Sequence, residues 1–494
     1  MRTVFILLDS VNRHYLNAYG CDWVKTPNID RLAARGITFE NHYVCSAPCM
    51  PARRDFMTGR PSFLEAPWGP LEPYDPNLCE ELKKQSGVYC HLITDHYHYW
   101  ERHASNYHCV FDTWEFIRGQ EGDHWHPSVA DPAIPPFRGK NRRQDWINRQ
   151  HMDVEDESTY PTPKTFMKGI EFLEHNHEAE DWFLQLECFD PHEPFMAPKK
   201  YRDLYNDDWD GGYLYDWPEY KALDPEKDDP AAVEHIRKQY AATLTMADTW
   251  LGKFLDKMDE LDLWDSTNVV FATDHGHLLG EHGYWAKNHM FDFNRLMQIP
   301  MIICSPTVEG GQRRSALTSA IDIMPTLLEF HGAKPPETVK GKSLIHLLRN
   351  DEEHHDAVLY GYFAKDIGMR HGPYTYCRRG LKGSITHHYT SMPVNAFRRF
   401  GMEQFQNAKM GKFFERSPMP LYRADVWTIN YRDATPENKI FNLELDPEQA
   451  SPIVDTELET KLVSRLCATL KQYDAPANQF ERTGLTEKPD ALTL

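Results

Sequence analysis

Four apolar runs in this chain each stop at aspartate or histidine, and few folds accept that pattern. Residues 4–8 run into Asp9-Ser10, and residues 88–93 into Thr94-Asp95-His96-Tyr97-His98. Residues 182–189 run into Asp190-Pro191-His192, and residues 269–271 lead to Asp274-His275-Gly276. With a fifth run at 301–304, these read as buried parallel strands, because they are continuously apolar. Helical patterns lie between them. Thr26-Pro27 offers a cap and a first-turn proline to a helix that Gly36 closes. Residues 234–261 place Ile236, Tyr240, Leu244, Ala247, Leu251, Leu255 and Met258 on one helical face. Strands alternating with helices predict an α/β sheet covered on both sides. In such sheets ligands bind outside the carboxyl ends of the strands. A single aspartate after a strand is ordinarily a turn or a cap. Several converging on one edge predict a hard divalent metal held by Asp9 and Asp274, with His275 beside them.

The alternation ends near residue 350. Beyond it come short aromatic strand-like stretches at 358–363 and 374–377, a mixed polar region at 383–433, and a last helix near 457–473. Residues 1–350 are therefore expected to form the main domain and residues 351–494 a smaller α+β domain. A chain of 494 residues buries enough surface to need no covalent staples. Residues 203–229, acidic and rich in turn formers, are expected to be a surface excursion. The basic stretch 397–416, with Arg398, Arg399, Lys409, Lys412 and Arg416, is expected to be a solvated or interface face.

Lys plus Arg number 54 against 74 Asp plus Glu, a formal net charge of -20. That balance argues against a nucleic-acid or anionic-membrane partner, which needs a basic surface. It leaves room for a small anionic substrate, since one metal ion and a few cations reverse the field inside a pocket. No stretch approaches the roughly 18 apolar residues of a spanning helix, and the apolar opening lacks the shape of a secretory signal. Taken as complete, the sequence predicts a soluble, cytoplasmic protein. Its ten cysteines form no CxxC pair and are expected to be reduced.

One of them stands apart. Cys49 lies two residues before Pro51, which suits a first helical turn, so it would sit at a helix N-terminus that favours an anion. Arg53, about one turn on, can reach back to it. This is a nucleophile beside a cationic anchor. A lone cysteine is ordinarily an inert buried thiol, but this spacing overturns that reading. Cys49-x-Pro51-x-Arg53 followed by Met57-Thr58-Gly59-Arg60 resembles the sulfatase signature in full. Companion segments follow in family order: Thr26 to Leu32, Phe189 to Phe195, Thr273 to Gly276 with Lys287, and Asp322 to Leu328.

The resemblance implies an alkaline-phosphatase-like fold: a mixed, largely parallel sheet flanked by helices, with a small C-terminal domain. It implies that Cys49 is oxidised to Cα-formylglycine by a formylglycine-generating enzyme. One oxygen of the aldehyde hydrate would attack the sulfur of a sulfate ester. The second hydroxyl would then expel sulfate, a step an unmodified thiol cannot perform. Asp9, Asp274, His275 and residue 49 would ligate the metal, calcium in most relatives, with manganese or magnesium as alternatives. Arg53 would hold the nucleophile, Lys287 a sulfate oxygen, and His192 would protonate the leaving oxygen. His96 or His98 would assist breakdown of the intermediate, and Thr94 and Asp95 would line the same pocket.

Ser10 stands where many sulfatases carry a second acid, so its hydroxyl or a water would complete the metal's shell. Phosphonate monoester hydrolases, which are close relatives, share that departure. The expected activity is hydrolysis of a small sulfated sugar or aryl ester. The alternatives are a phosphonate monoester or phosphodiester hydrolase with the same site, and a non-catalytic binder of sulfated ligands. A homo-oligomer is left open.

Overall fold

In the computed structural model, the described residues are 1–103, 106–395, 398–427 and 437–485. Phe397 of the basic stretch and residues 428–433 of the mixed polar region lie outside them. Eight strands form the central sheet: β1 (Arg2–Leu8), β2 (Ile37–Tyr43), β3 (Tyr89–Thr94), β4 (Thr113–Phe116), β5 (Trp182–Cys188), β6 (Thr267–Thr273), β7 (Met301–Cys304) and β8 (Gln312–Ser319). Their order across the sheet is β8-β2-β7-β6-β1-β5-β3-β4. Every residue of β1, β5 and β6 is buried, as expected of strands covered on both faces.

Register places the site. β1 is parallel to both neighbours, and Leu8 pairs with Cys188 on one side and Thr273 on the other. The three strands end level, so Asp9, Phe189 and Asp274 leave the sheet side by side. The 301–304 run departs from expectation: β7 is antiparallel to both β6 and β2. The connection before it holds only a short hairpin and the single-turn helix Asn294–Met297. A parallel return is usually made through a full crossover helix, which this connection lacks.

Helix α1 (Pro27–Arg35) and the 31-residue helix α4 (Pro230–Glu260) carry the expected apolar faces; between them lie α2 (Cys49–Thr58) and α3 (Pro161–Asn176). Thr26, read as the cap of α1, makes no capping bond. Its hydroxyl donates to Asn17 Oδ1 at 2.8 Å, and Asp248 of α4 instead accepts the N–H groups of Asn28 (3.1 Å) and Ile29 (2.8 Å). The cap thus comes from a neighbouring helix. Gly36 does close α1, and it is needed for close approach: a Cβ there would lie 2.7 Å from the carbonyl oxygen of Ile303.

The second sheet has the order Lys439–Asn442, Tyr374–Arg378, Ile367–His371, Ala357–Tyr362, Ser46–Ala47. Its last member precedes α2, and pairs in parallel through Gly361↔Ser46 and Tyr362↔Ala47. The C-terminal sheet therefore braces the segment that leads into Cys49. The 203–229 segment is no mere surface excursion. Leu214–Trp217 pairs with Phe137–Gly139, and Tyr215 and Trp217 are buried. Arg398, Arg399, Lys409 and Lys412 are exposed, whereas Arg416 pairs with Glu65 and lies over Phe414. All ten cysteines are free thiols, and no described helix is long and apolar enough to cross a membrane.

His388, on strand Ile385–Thr390, is buried between Phe363 and Phe400. Burial, helped by Arg54, pushes its pKa down to about 3. Below its unfolded pKa near 6.5 the unfolded chain takes a proton that the folded chain refuses, so stability falls with pH. We expect His388→Leu to remove about 1.4 kcal/mol per pH unit from that slope between pH 6 and 4. Urea unfolding across the range checks it, and an unchanged slope would contradict the assignment.

Candidate active site

Asp9 and Asp274 emerge from adjacent strands, and α2 delivers the other half of the site. Cys49 opens that helix, and Arg53, one turn on, is buried with its guanidinium aimed back at the strand ends. Arg53 Nη1 donates to Asp274 Oδ2 at 2.6 Å and to the Cys49 carbonyl at 3.1 Å, and Nη2 donates to Asp9 Oδ2 at 3.0 Å. Its Nε donates to Glu187 Oε1 at 2.6 Å. Glu187 also accepts from the Tyr99 hydroxyl (2.9 Å) and the Gln185 amide (3.0 Å). The fork geometry of a guanidinium suits this three-carboxylate role. Glu187 escaped the sequence reading, although a charged residue inside the apolar 182–189 run was a signal.

Ser10 takes the left-handed conformation, φ 64°, unusual for a residue with a side chain. The turn lets its N–H donate to Asp274 Oδ1 at 3.0 Å and its hydroxyl to Asp9 Oδ1 at 2.6 Å. The same hydroxyl accepts from Lys287 Nζ at 2.9 Å. Lys287 Nζ also lies 3.2 Å from His275 Nε2, 3.6 Å from Cys49 Sγ and 3.9 Å from Asp9 Oδ1. One ammonium thus sits among the donors of the predicted metal site.

Those donors fit a cation. Ligand atoms of Asp9, Cys49, Asp274 and His275 all lie within 4.8 Å of one another, and all four residues are buried. His275 Nδ1 lies 2.9 Å from the Gly276 carbonyl, so Nδ1 carries the proton and Nε2 turns its lone pair to the site. Burial lowers the His275 pKa to about 4, keeping the ring neutral. Burial raises the Asp9 carboxyl, but Lys287 and Arg53 outweigh it and hold the group well below the usual range. Asp9, Glu187 and Asp274 face two cations, Arg53 and Lys287, so the buried cluster carries one excess negative charge. Burial, with Asp9, pushes the Cys49 thiol well above its ordinary pKa. As a thiol, residue 49 therefore stays protonated and weakly nucleophilic.

A cavity of about 1240 Å³ opens onto this cluster through Cys49, His192 and Lys287. His192 Nδ1 lies 2.6 Å from the Glu193 carbonyl, leaving Nε2 as the titrating nitrogen. Glu193 is buried with Tyr220, His277 and Lys140 around it. Lys140 Nζ lies 3.3 Å from the centre of the Tyr220 ring. The cavity wall also holds Trp68, Tyr97, Trp100, Phe116, Arg118 and Arg142.

The two histidines left open by the sequence have different surroundings. His98 lines the cavity, with Nδ1 2.7 Å from Glu101 Oε1. His96 is fully buried, Nε2 3.5 Å from Asp9 Oδ2. Thr94 and Asp95 do not reach the cavity. Thr94 Oγ1 accepts the His96 N–H at 2.9 Å. Asp95 accepts the Phe189 N–H at 2.6 Å and the Gln120 side chain at 3.1 Å, tying β3 to β5. The Asp95 carboxylate is thus engaged inside the fold, between β3 and β5, rather than at the cavity.

This largely parallel sheet flanked by helices, with two carboxylates, an imidazole and a helix-terminal thiol at its carboxyl edge, has the alkaline-phosphatase-like architecture of solved sulfatase structures. The Sulfatase family model matches residues 2–333, and the chain belongs to the sulfatase family and is an enzyme of it. An arylsulfatase of Clostridium perfringens is 25% identical over 378 residues, covering 70% of this chain and 78% of its own. A choline-sulfatase of Rhizobium meliloti is 25% identical over 423 residues, covering 76% and 78%. The crystal structure of the phosphonate monoester hydrolase of Agrobacterium radiobacter superposes with a TM-score of 0.66 at 17% identity, over 96% of this chain and 95% of its own. BT4656, solved with its substrate D-glucosamine-2-N,6-O-disulfate, gives 0.66 at 18% identity, over 96% and 98%. These two structures share the fold.

Proposed function

We propose that the chain hydrolyses sulfate esters, with residue 49 working as Cα-formylglycine. The observation that carries this reading is the position of Cys49. It stands at the start of α2, among Asp9, Asp274 and His275, and faces a cavity shared with Lys287 and His192. A group there meets both the metal donors and an incoming ester. A divalent cation bound by Asp9, Asp274, His275 and residue 49 supplies Lewis acidity and offsets the excess negative charge; the carboxylate-rich set favours calcium, magnesium or manganese.

The chain's own residues divide the remaining work. Arg53, fixed by Glu187, holds the backbone of residue 49. The hydrated aldehyde offers one hydroxyl to attack sulfur and a second to expel sulfate. Lys287 neutralises charge on the transferring group. His192 protonates the departing oxygen through Nε2. His98, on the cavity wall, is the better placed of the two histidines to meet substrate, and His96 keeps company with Asp9. Because Cys49 is 2% exposed, the formylglycine-generating enzyme must reach it before folding is complete.

The substrate we propose is a small sulfated sugar or aryl ester, since the wall joins flat aromatic rings to cations. Ser10 favours a second reading, hydrolysis of a phosphonate monoester or phosphodiester, because the position after Asp9 lacks a carboxylate. Mass spectrometry of the Cys49 peptide, with matched aryl sulfate and aryl phosphonate esters assayed side by side, tests both. A fully aldehyde-bearing protein that bound such ligands but turned over neither the sulfate nor the phosphonate ester would sink them together. We further expect His192→Asn to lower kcat about 10²–10⁴-fold for an alkyl sulfate. The loss should be much smaller for a nitrophenyl sulfate, whose leaving group needs no proton. Equal losses on both would remove His192 from the acid role.

A further inference from the structure

We propose that Asp322, His354 and His355 form a second metal site, chemically unlike the first, that takes a borderline ion such as zinc. Their ligand atoms all lie within 4.8 Å of one another and all three residues are buried. His355 Nε2 lies 2.9 Å from Asp322 Oδ1 and 3.0 Å from Oδ2, and His354 Nε2 lies 3.3 Å from Oδ2. A tetrahedral zinc with bonds of about 2.0–2.1 Å holds its ligand atoms about 3.3 Å apart. His354 Nε2 and Asp322 Oδ2 have that separation, as do His275 Nε2 with Asp274 Oδ2 and with Cys49 Sγ in the first site, while His355 Nε2 lies a few tenths of an ångström closer to Asp322.

Hydrogen bonding alone does not call for this arrangement. Each Asp322 oxygen already accepts a backbone N–H at 2.8 Å, from Ser319 on Oδ2 and from Lys342 on Oδ1. The carboxylate is oriented before either imidazole is counted. His354 Nδ1 lies 3.4 Å from His346 Nε2, so His346 is an outer partner that would accept the Nδ1 proton in the tautomer whose Nε2 binds a metal. A fourth imidazole stands nearby. His42 is fully buried and feels the charges of Asp322, His354 and His355. Its Nδ1 meets Thr318 Oγ1 at 3.0 Å, while its buried Nε2 has no hydrogen-bond partner among the described residues. Two imidazoles and one carboxylate suit zinc better than calcium or magnesium.

Placement gives the ion a task. Asp322 follows β8, and His354 and His355 come just before Ala357–Tyr362, the strand that braces Ser46–Ala47. The ion would staple the end of the first sheet to the entry of the second, with no reaction assigned to it. His354 and His355 also lie beyond residue 333, where the family match stops.

The test is metal analysis of the full chain after dialysis against zinc, with calorimetric titration and thermal unfolding. We expect one tightly held zinc per chain in the wild type and in Asp274→Asn, and its loss in His354→Gln and in His355→Gln. Added zinc should raise the Tm of the wild type and leave those two histidine variants unmoved. His346→Ala, a milder change to the outer partner, should weaken zinc about 10–100-fold, which keeps the test alive if either first variant misfolds. Zinc retained by both histidine variants, zinc lost only in Asp274→Asn, or no zinc in the wild type would each overturn the site. None of these readouts depends on sulfatase turnover.

Discussion

Cys49→Ala is expected to fold normally and to lose sulfate-ester turnover by at least about 10⁴-fold, the scale on which a missing covalent nucleophile is felt. The change removes one sulfur from a buried helix start and leaves the Arg53 bonds to Asp9, Glu187 and Asp274 in place. The donor set for the metal loses one of four members, so cation affinity should fall far less than turnover. Cys49→Ser sharpens the point. It restores a single hydroxyl, enough to attack sulfur once but without a second hydroxyl to release sulfate. A burst of alcohol followed by a stalled, sulfated protein is the expected trace, visible as added mass on the Cys49 peptide. Sustained turnover by Cys49→Ala would show that residue 49 is not the nucleophile, and sustained turnover by Cys49→Ser that no second hydroxyl is needed to release sulfate.

The strand ends were legible because chemistry follows directly on an apolar run: Asp9, His192, Asp274 and His275 announce themselves by where they stand. Cys49 and Arg53 were legible from a helical spacing of four. What stayed hidden depends on partners distant in sequence. Glu187 reads as an oddity in a buried strand until Arg53 arrives from α2 to meet it. Asp95 looks like its neighbours, yet the Phe189 N–H claims its carboxylate. The cavity wall was the least visible part. Tyr220 and Lys140 come from two excursions that pair through Phe137–Gly139 and Leu214–Trp217, and neither excursion carries a periodicity that points to the other. The direction of β7 was hidden for a similar reason, since an apolar run of four has the same composition whichever way it runs.

Arg53→Met should destabilise the fold by about 3–5 kcal/mol at neutral pH, the usual cost of stranding buried charges. The methionine fills much of the stem volume but leaves Asp9, Glu187 and Asp274 fully buried, with Lys287 as the remaining cation of the cluster. Burial alone raises a carboxyl pKa, as it already does for Glu187 even beside Arg53. Without the guanidinium, Glu187 would rise further and Asp9, still held by Lys287, would be held down less, so acidification would cost the variant less. In the wild type, the depressed Asp9 pKa contributes stability above about pH 4 that is lost on acidification. In the variant that loss is smaller, so the gap between the two should narrow from pH 8 to pH 5. Adding Glu187→Gln to the variant should recover part of the loss, because it removes one of the unpaired charges. If urea unfolding gave a gap independent of pH, and no recovery in the double variant, Arg53 would be acting through packing alone. The electrostatic account of the site would then fail.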